Sequence, residues 1–326
     1  MLGRRLLPVI FSAFFFAAGC HREPPSETTS GSADRPWQGT PTKMSVRHLP
    51  NAWQIHPRVI CGGEPAGAEA FRELRDLGVK TIISVDAAKP DLARARQYDL
   101  QYVHLPHGYA GIPAPRVQEL AKAVRDLTGP IYIHCHHGKH RGPTAAAVAC
   151  VAAGLLPPDK AEQVLELAGT SGQYQGLYSL ARSIRPLKPL QLDQMASDFP
   201  EVAEVSPLAQ IMIELDDRFS ELKRLEQAGW RPLSTDADAA PAHIALLFRE
   251  HWTEWLRNPA IKQQPEPYGK WIEESESLAI QLEQRLRNGN PADNPEPKAD
   301  LGELLAALGQ NCSACHRAYR DNPPEE

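Results

Sequence analysis

The sequence predicts two structural classes in tandem. An α/β layer fold with a central, mostly parallel sheet flanked by helices spans residues 48–190, and an all-α four-helix bundle spans 201–326. Three observations lead there. At 326 residues the chain is longer than the roughly 100–200 residues of one ordinary domain. Between 59 and 153, short apolar runs alternate with amphipathic helical ones, the pattern of strands joined by crossover helices. Beyond 200 the strand-like runs stop and four segments of helical period follow. The composition, 42% hydrophobic and 23% charged, is that of globular material. A net charge of −5 offers no basic stripe for nucleic acid, so no nucleic-acid partner is expected. Six cysteines are too few for a disulfide-built scaffold.

The first segment is MLGRRLLPVIFSAFFFAAGC. Arg4 and Arg5 precede an apolar run over 6–18 that is too short to span a bilayer comfortably. It ends in Ala17-Ala18-Gly19-Cys20, which resembles the lipobox of bacterial lipoproteins. The resemblance implies a signal peptide over 1–20 and lipidation at Cys20. It also implies an extracytoplasmic, periplasmic protein anchored to the membrane by acyl chains. Residues 21–47, rich in Pro, Ser, Thr and Gly, read as a disordered tether.

The α/β elements follow in order. Residues 59–60 close a short strand. Segment 66–77 carries Phe71, Leu74 and Leu77 on one helical face and is stopped by Gly78. The run 79–85 (VKTIISV) is a buried strand, 91–98 a helix and 102–105 a strand. Over 116–127, Val117, Leu120, Val124 and Leu127 recur at helical spacing. Segment 131–134 is a strand, and 143–153 a helix whose Pro143 sits in the first turn, where a missing N–H is harmless. Segment 157–186 adds two helices with a break at 169–172, and 191–200 is a linker. Ligands of such folds bind at the carboxyl ends of the strands.

At one such end stands His134-Cys135-His136-His137-Gly138-Lys139-His140-Arg141. The five residues between Cys135 and Arg141 are enough to curl their N–H groups inward as an anion nest. The following helix adds its positive end, and a guanidinium grips two phosphate oxygens at once. The same field favours a thiolate, the nucleophilic form of cysteine. His136, His137, Gly138, Lys139 and His140 are thus the candidate phosphate-binding loop. Four closely spaced histidines beside a cysteine also raise a metal site, but neighbours on a tight loop do not all converge on one ion.

This Cys-x5-Arg segment, with 59–153 around it, resembles the cysteine-dependent protein tyrosine and dual-specificity phosphatases. The resemblance implies Cys135 as nucleophile, Arg141 as the phosphate-binding and transition-state-stabilising group, and His134 as the residue that holds the loop and lowers the thiol pKa. Two departures stand out. Gly142 follows Arg141 where the family has Ser or Thr, and Thr144 lies two residues on. The loop 106–113, where the family carries an Asp general acid, holds no carboxylate; its titratable side chains are His107 and Tyr109. Asp86, past the strand at 79–85, is at the correct sheet edge to substitute, or is a plain loop residue. Cys150 reads as a small core residue. Cys61 is a conceivable disulfide partner of Cys135.

In the second part, helical spacing appears over 206–229, 243–257, 268–286 and 301–320, joined by polar, Pro-punctuated connections. The last segment contains Cys312-Ser313-Ala314-Cys315-His316, a Cys-x-x-Cys-His haem c attachment motif. With Tyr319 and Arg320 following, it resembles the class II cytochromes, the cytochrome c′ family. The resemblance implies covalent haem c on Cys312 and Cys315, His316 as proximal iron ligand and Arg320 as a basic residue beside the haem. Met212, on the apolar face of the first of these helices, is a candidate distal ligand or a core residue; His251 is a lesser candidate.

The expectation is therefore a membrane-anchored haem protein for electron transfer or gas and redox sensing, with an unidentified redox partner or gas ligand. Its α/β half is a phosphatase acting on a phosphorylated substrate, a non-catalytic binder of phosphate or another oxyanion, or a thiol-based sulfur carrier.

Overall fold

A computed structural model describes residues 36–196, 198–235, 239–288 and 296–321. The signal segment 1–20, with Cys20, and the tether up to 35 lie outside the described residues. In chain order the elements are β1 (Thr42–Lys43), β2 (Trp53–His56), β3 (Val59–Gly62), α1 (Gly67–Asp76), β4 (Thr81–Ser84), α2 (Leu92–Gln97) and β5 (Gln101–His104). Then come α3 (Ala114–Asp126), β6 (Ile131–His134), α4 (Arg141–Ala152), α5 (Lys160–Ala168), α6 (Gln175–Ser183) and α7 (Pro189–Asp193). The chain ends with α8 (Pro207–Gln227), α9 (Pro241–Arg257), α10 (Glu266–Asn288) and α11 (Glu296–Tyr319), a 3-10 turn at Pro259–Gln263 lying between α9 and α10.

The sheet order is β1-β2-β3-β6-β4-β5. Strands β3, β6, β4 and β5 are parallel, and β1 and β2 add an antiparallel edge. Strands β3, β4 and β6 are buried at every position, as expected of parallel strands covered on both faces. Side chains alternate between two apolar clusters. Cys61, Ile83, Val103 and Ile133 join one with α3–α6, while Ile60, Ile82, Tyr102 and Tyr132 join the other with Phe71 and Leu74 of α1. The register is level: His134 lies opposite both Gly62 and Ser84, and Ser84 opposite His104. Four strand ends therefore open onto one edge, and the loops after them share a rim.

Helix α4 is buried from Gly142 to Ala152 because its run of Ala, Gly and Val lets it lie close against the sheet and α3. Cys150 is a small core residue of this helix. The four long helices α8–α11 surround a separate apolar cluster of Leu215, Leu222, Phe248, Trp252, Ile272, Leu282, Leu305 and Leu308, among others. Ser206 caps α8 by accepting from the Ala209 amide at 3.2 Å. Asn311 Nδ2 donates to Ser275 Oγ at 2.7 Å and the Trp271 carbonyl at 2.8 Å, fixing α11 against α10.

Two stretches expected to be free chain belong to the fold. The tether was expected to run to 47, but the Trp37 amide bonds the Leu155 carbonyl at 2.9 Å, β1 pairs with β2, and the Arg47 and His48 amides donate to Glu73. The linker 191–200 contains the end of α7 with Leu192 buried, and the His104 amide donates to the Pro200 carbonyl at 2.8 Å. Polar composition hid both; each covers an exposed sheet edge, whose unpaired backbone groups need partners. Among the described residues no helix is long and apolar enough to cross a membrane.

Candidate active site

Cys135 leaves the end of β6 buried, at 4% exposure, and Arg141 begins α4. The helix starts two residues earlier than its Pro143 suggests, so Arg141 lies in the first turn, against the helix's positive end. The loop between them is held from outside by its carbonyls. His136 O accepts from the Glu64 amide at 3.0 Å. Gly138 O accepts from Asn51 Nδ2 at 2.9 Å, and Lys139 O from Thr170 Oγ1 at 2.6 Å. His140 O accepts from Thr144 Oγ1 at 2.8 Å. In a planar trans peptide the next N–H points opposite its carbonyl, so the amides of 137, 139, 140 and 141 are turned toward the loop interior. That is the orientation an anion nest would need.

The loop closes on glycine. Gly138 has φ +67, and a Cβ there would stand 2.3 Å from Gly62 C and 2.3 Å from Gly63 N. A Cβ on Gly142 would lie 3.0 Å from Cys135 N and 3.4 Å from Cys135 Sγ, which puts the start of α4 directly under the sulfur. No hydroxyl occupies that position, since Thr144 Oγ1 is spent on His140 O. His134 is buried and shares a 2.5 Å hydrogen bond between its Nε2 and the Tyr102 hydroxyl. Burial lowers its pKa, with Asp86 and Glu64 pulling the other way.

The His136 and His137 rings pack edge to face at 4.4 Å, but the loop histidines take separate polar partners. His136 faces Glu64 at 3.1 Å, which raises its pKa and lowers that of Glu64. His140 Nδ1 accepts from the Ser171 amide at 3.3 Å, and burial followed by Lys139 lowers its pKa to about 4. His137 is lowered by burial and then by His136. Cys61 is a free thiol within electrostatic reach of Cys135, and burial pushes its pKa up.

Asp86 is 3% exposed. Its Oδ1 accepts from the Ala88 amide at 2.9 Å, and its Oδ2 is buried without a partner. His104 Nε2 bonds the Asp86 carbonyl at 2.8 Å while its Nδ1 accepts from the Ala203 amide at 3.0 Å, so the segment after the linker steadies the Asp86 loop. The carboxylate reaches electrostatically to His134 and to Arg141. Arg141 has a buried, unpartnered Nε. Burial works against its charge while Tyr109, Cys135 and Asp86 support it, with a net upward shift. Its guanidinium lies 4.7 Å from the Tyr109 ring centre. His107, buried in the same loop, is lowered to about 4 by burial, so its imidazole is neutral at pH 7.

Sequence reasoning missed Gly62-Gly63, Asn51, Thr170 and Tyr102, which clamp the loop. A Gly-Gly pair at a strand end is a recognised sign of close backbone approach and was the one available signal. The others come from distant segments that only the fold assembles.

On α11, Cys312, Cys315 and His316 stand at i, i+3 and i+4, on one helix face. Both thiols are free and pack against the second apolar cluster, as does Met212. Burial raises the pKa of both thiols to about 11 and lowers that of His316 to about 4. His251 faces Glu214 at 3.3 Å. Arg320 is within electrostatic reach of Cys315 and His316; it also bonds Asp321 at 2.7 Å and lies 4.4 Å from the Tyr109 ring centre.

No family model matches the sequence, and no curated protein matches it. Among solved structures, TpbA of P. aeruginosa is similar to part of the chain, with 21% identity and a TM-score of 0.37 over 43% of this chain and 89% of TpbA. The core catalytic domain of the PP-IP phosphatase SIW14 from S. cerevisiae is similar at 17% identity and a TM-score of 0.35, over 41% of this chain and 87% of that domain.

Proposed function

We propose that the Cys135 pocket hydrolyses phosphate monoesters through a phosphocysteine, on a lipid-anchored extracytoplasmic chain whose C-terminal helices carry covalent haem c. The observation that carries the phosphatase reading is the outward tethering of four loop carbonyls, which leaves inward amides and an unpartnered buried Arg141 Nε around the Cys135 sulfur.

In this mechanism the Cys135 thiolate attacks phosphorus, forming an S–P bond as the P–O bond to the leaving group breaks. The leaving oxygen takes a proton from Asp86, whose unpartnered Oδ2 supports that role. The loop amides and Arg141 hold the remaining phosphoryl oxygens, whose charge grows in the transition state. Water then attacks phosphorus, its proton passes to Asp86, and the S–P bond breaks to return the thiolate and release phosphate. His134 keeps the loop on the end of β6 through Tyr102. The test is hydrolysis of p-nitrophenyl phosphate by wild type and Cys135→Ser. Turnover is expected only in wild type, with phosphate binding retained in both. Phosphate binding without wild-type turnover would make the domain an oxyanion-binding pseudophosphatase instead.

The haem reading rests on the donor set of α11. Two free thiols one turn apart and a neutral imidazole on the same face fit a haem c, which Cys312 and Cys315 would hold by thioether bonds and His316 would ligate. Met212 packs on the same core and would be the further candidate ligand. When bound, such a group supplies one-electron transfer or a site for a diatomic gas. A pyridine haemochrome spectrum of the mature chain, from a host competent for cytochrome c maturation, should show covalent haem that Cys312→Ser/Cys315→Ser abolishes. A colourless wild type overturns this half. The anchor is tested by fatty-acid labelling, which Cys20→Ala should remove.

A further inference from the structure

We propose that Arg320, just past the end of α11, is a positioning residue for the Cys135 pocket: it fixes Tyr109, and through Tyr109 the guanidinium of Arg141. The inference rests on the phosphate reading of that pocket and gives Arg320 a role there in addition to its reach to His316.

Arg141 must aim its fork at the phosphoryl group, yet among the described residues no carboxylate forms an ion pair with it, and its Nε is unpartnered. What lies against it is the Tyr109 ring, 4.7 Å from its guanidinium carbon. Tyr109 sits on a loop between Gly108 and Gly111, the latter at φ +128, so its own backbone constrains it little. The ring is held instead by neighbours from far along the chain. Tyr174 lies 4.7 Å away ring to ring, and the Arg320 guanidinium carbon 4.4 Å from the ring centre. His140, inside the phosphate loop, packs on Tyr174 at 4.6 Å and completes the cluster.

Arg320 is itself held in place. Its Nε donates to Asp321 at 2.7 Å, and the amides of Arg320 and Asp321 both donate to the His316 carbonyl at 2.9 Å. A guanidinium over an aromatic face is an attractive contact, and one residue from the helical half thereby reaches a side chain that touches Arg141. Its positive charge also adds to the potential at the pocket mouth, an effect that salt screens.

The test compares the mature chain with Arg320→Ala, Arg320→Lys, Tyr109→Ala and the double variant Arg320→Ala/Tyr109→Ala. The readouts are kcat/KM for p-nitrophenyl phosphate and inorganic phosphate affinity in the Cys135→Ser background. Arg320→Ala should lower both by about tenfold, and Arg320→Lys, which keeps a cation, should restore most of the loss. Adding Arg320→Ala to Tyr109→Ala should have little further effect, because a residue acting through Tyr109 has nothing to act on once the ring is gone. Arg317→Ala, an exposed change on the preceding turn that lines a groove of α8, α10 and α11, should leave both readouts unchanged. Unaltered phosphate affinity and kcat/KM in Arg320→Ala, or losses that simply add in the double variant, would overturn the inference. A wild type that neither binds nor hydrolyses phosphate would overturn the phosphate reading and this inference with it.

Discussion

Gly138 and Gly62 meet backbone to backbone: a Cβ on Gly138 would stand 2.3 Å from the Gly62 carbonyl carbon, at a φ of +67. Both the left-handed conformation and the contact exclude a side chain. Gly138→Ala should therefore cost stability by about 1–3 kcal/mol for the φ alone, more for the overlap, and weaken phosphate binding by displacing the loop. Urea unfolding and phosphate titration of the same variant check both.

Gly142 lies under the Cys135 sulfur and offers no hydroxyl to help the thiolate depart, and Thr144 is turned to the His140 carbonyl. In the proposed mechanism, breakdown of the phosphocysteine is then the slow step. Rapid-mixing kinetics with p-nitrophenyl phosphate should show a burst of nitrophenol equal to the enzyme concentration. Gly142→Ser should shrink the burst and raise the steady rate, provided the Cys135 amide gives by the few tenths of an ångström that a Cβ at 3.0 Å demands. A linear wild-type trace would contradict the assignment of the slow step.

Asp86 is the acid of the proposed mechanism. Asp86→Asn should reduce turnover of alkyl phosphates, whose leaving oxygen needs a proton, by about 10²–10⁴-fold. The good leaving group of p-nitrophenyl phosphate should suffer far less. Equal losses on both substrates would assign Asp86 a role other than proton donor.

His107 gives the fold an acid-sensitive point. Its pKa falls from 6.5 to about 4 because burial opposes the imidazolium. The unfolded chain therefore binds the proton more readily, and the stability tied to neutral His107 is full above pH 6.5 and lost as pH falls through about 4. His107→Gln should flatten the stability curve over that window by up to about 3 kcal/mol, measured by urea unfolding at pH 4, 5.5 and 7.

Much of the α/β half was legible because its strands are short and apolar and its helices carry a clear apolar face. Ile131–His134 falls where the pattern put it, and the helix pair around the break at 169–172 appears as α5 and α6. The elements β1, β2 and α7 were not legible. Their residues are polar or mixed, and they are ordered by edge pairing and docking rather than by their own periodicity. The Cys135–Arg141 loop was readable as a spacing, since its curl is set by local backbone geometry. Its clamps were not, because Asn51, Thr170 and Gly62 are brought to it by the sheet register and the packing of α5.

The sequence alone determined the order of the core strands and long helices, the Cys135–Arg141 frame and the one-face placement of Cys312, Cys315 and His316, all properties of short segments whose hydrogen bonds and helical repeat are local. Only the tertiary structure decided that Asp86 is buried with an oxygen unpartnered, and that Arg320 meets Tyr109. The second relation joins residues more than two hundred positions apart, and packing between separately formed elements, which no local propensity encodes, is what brings them together.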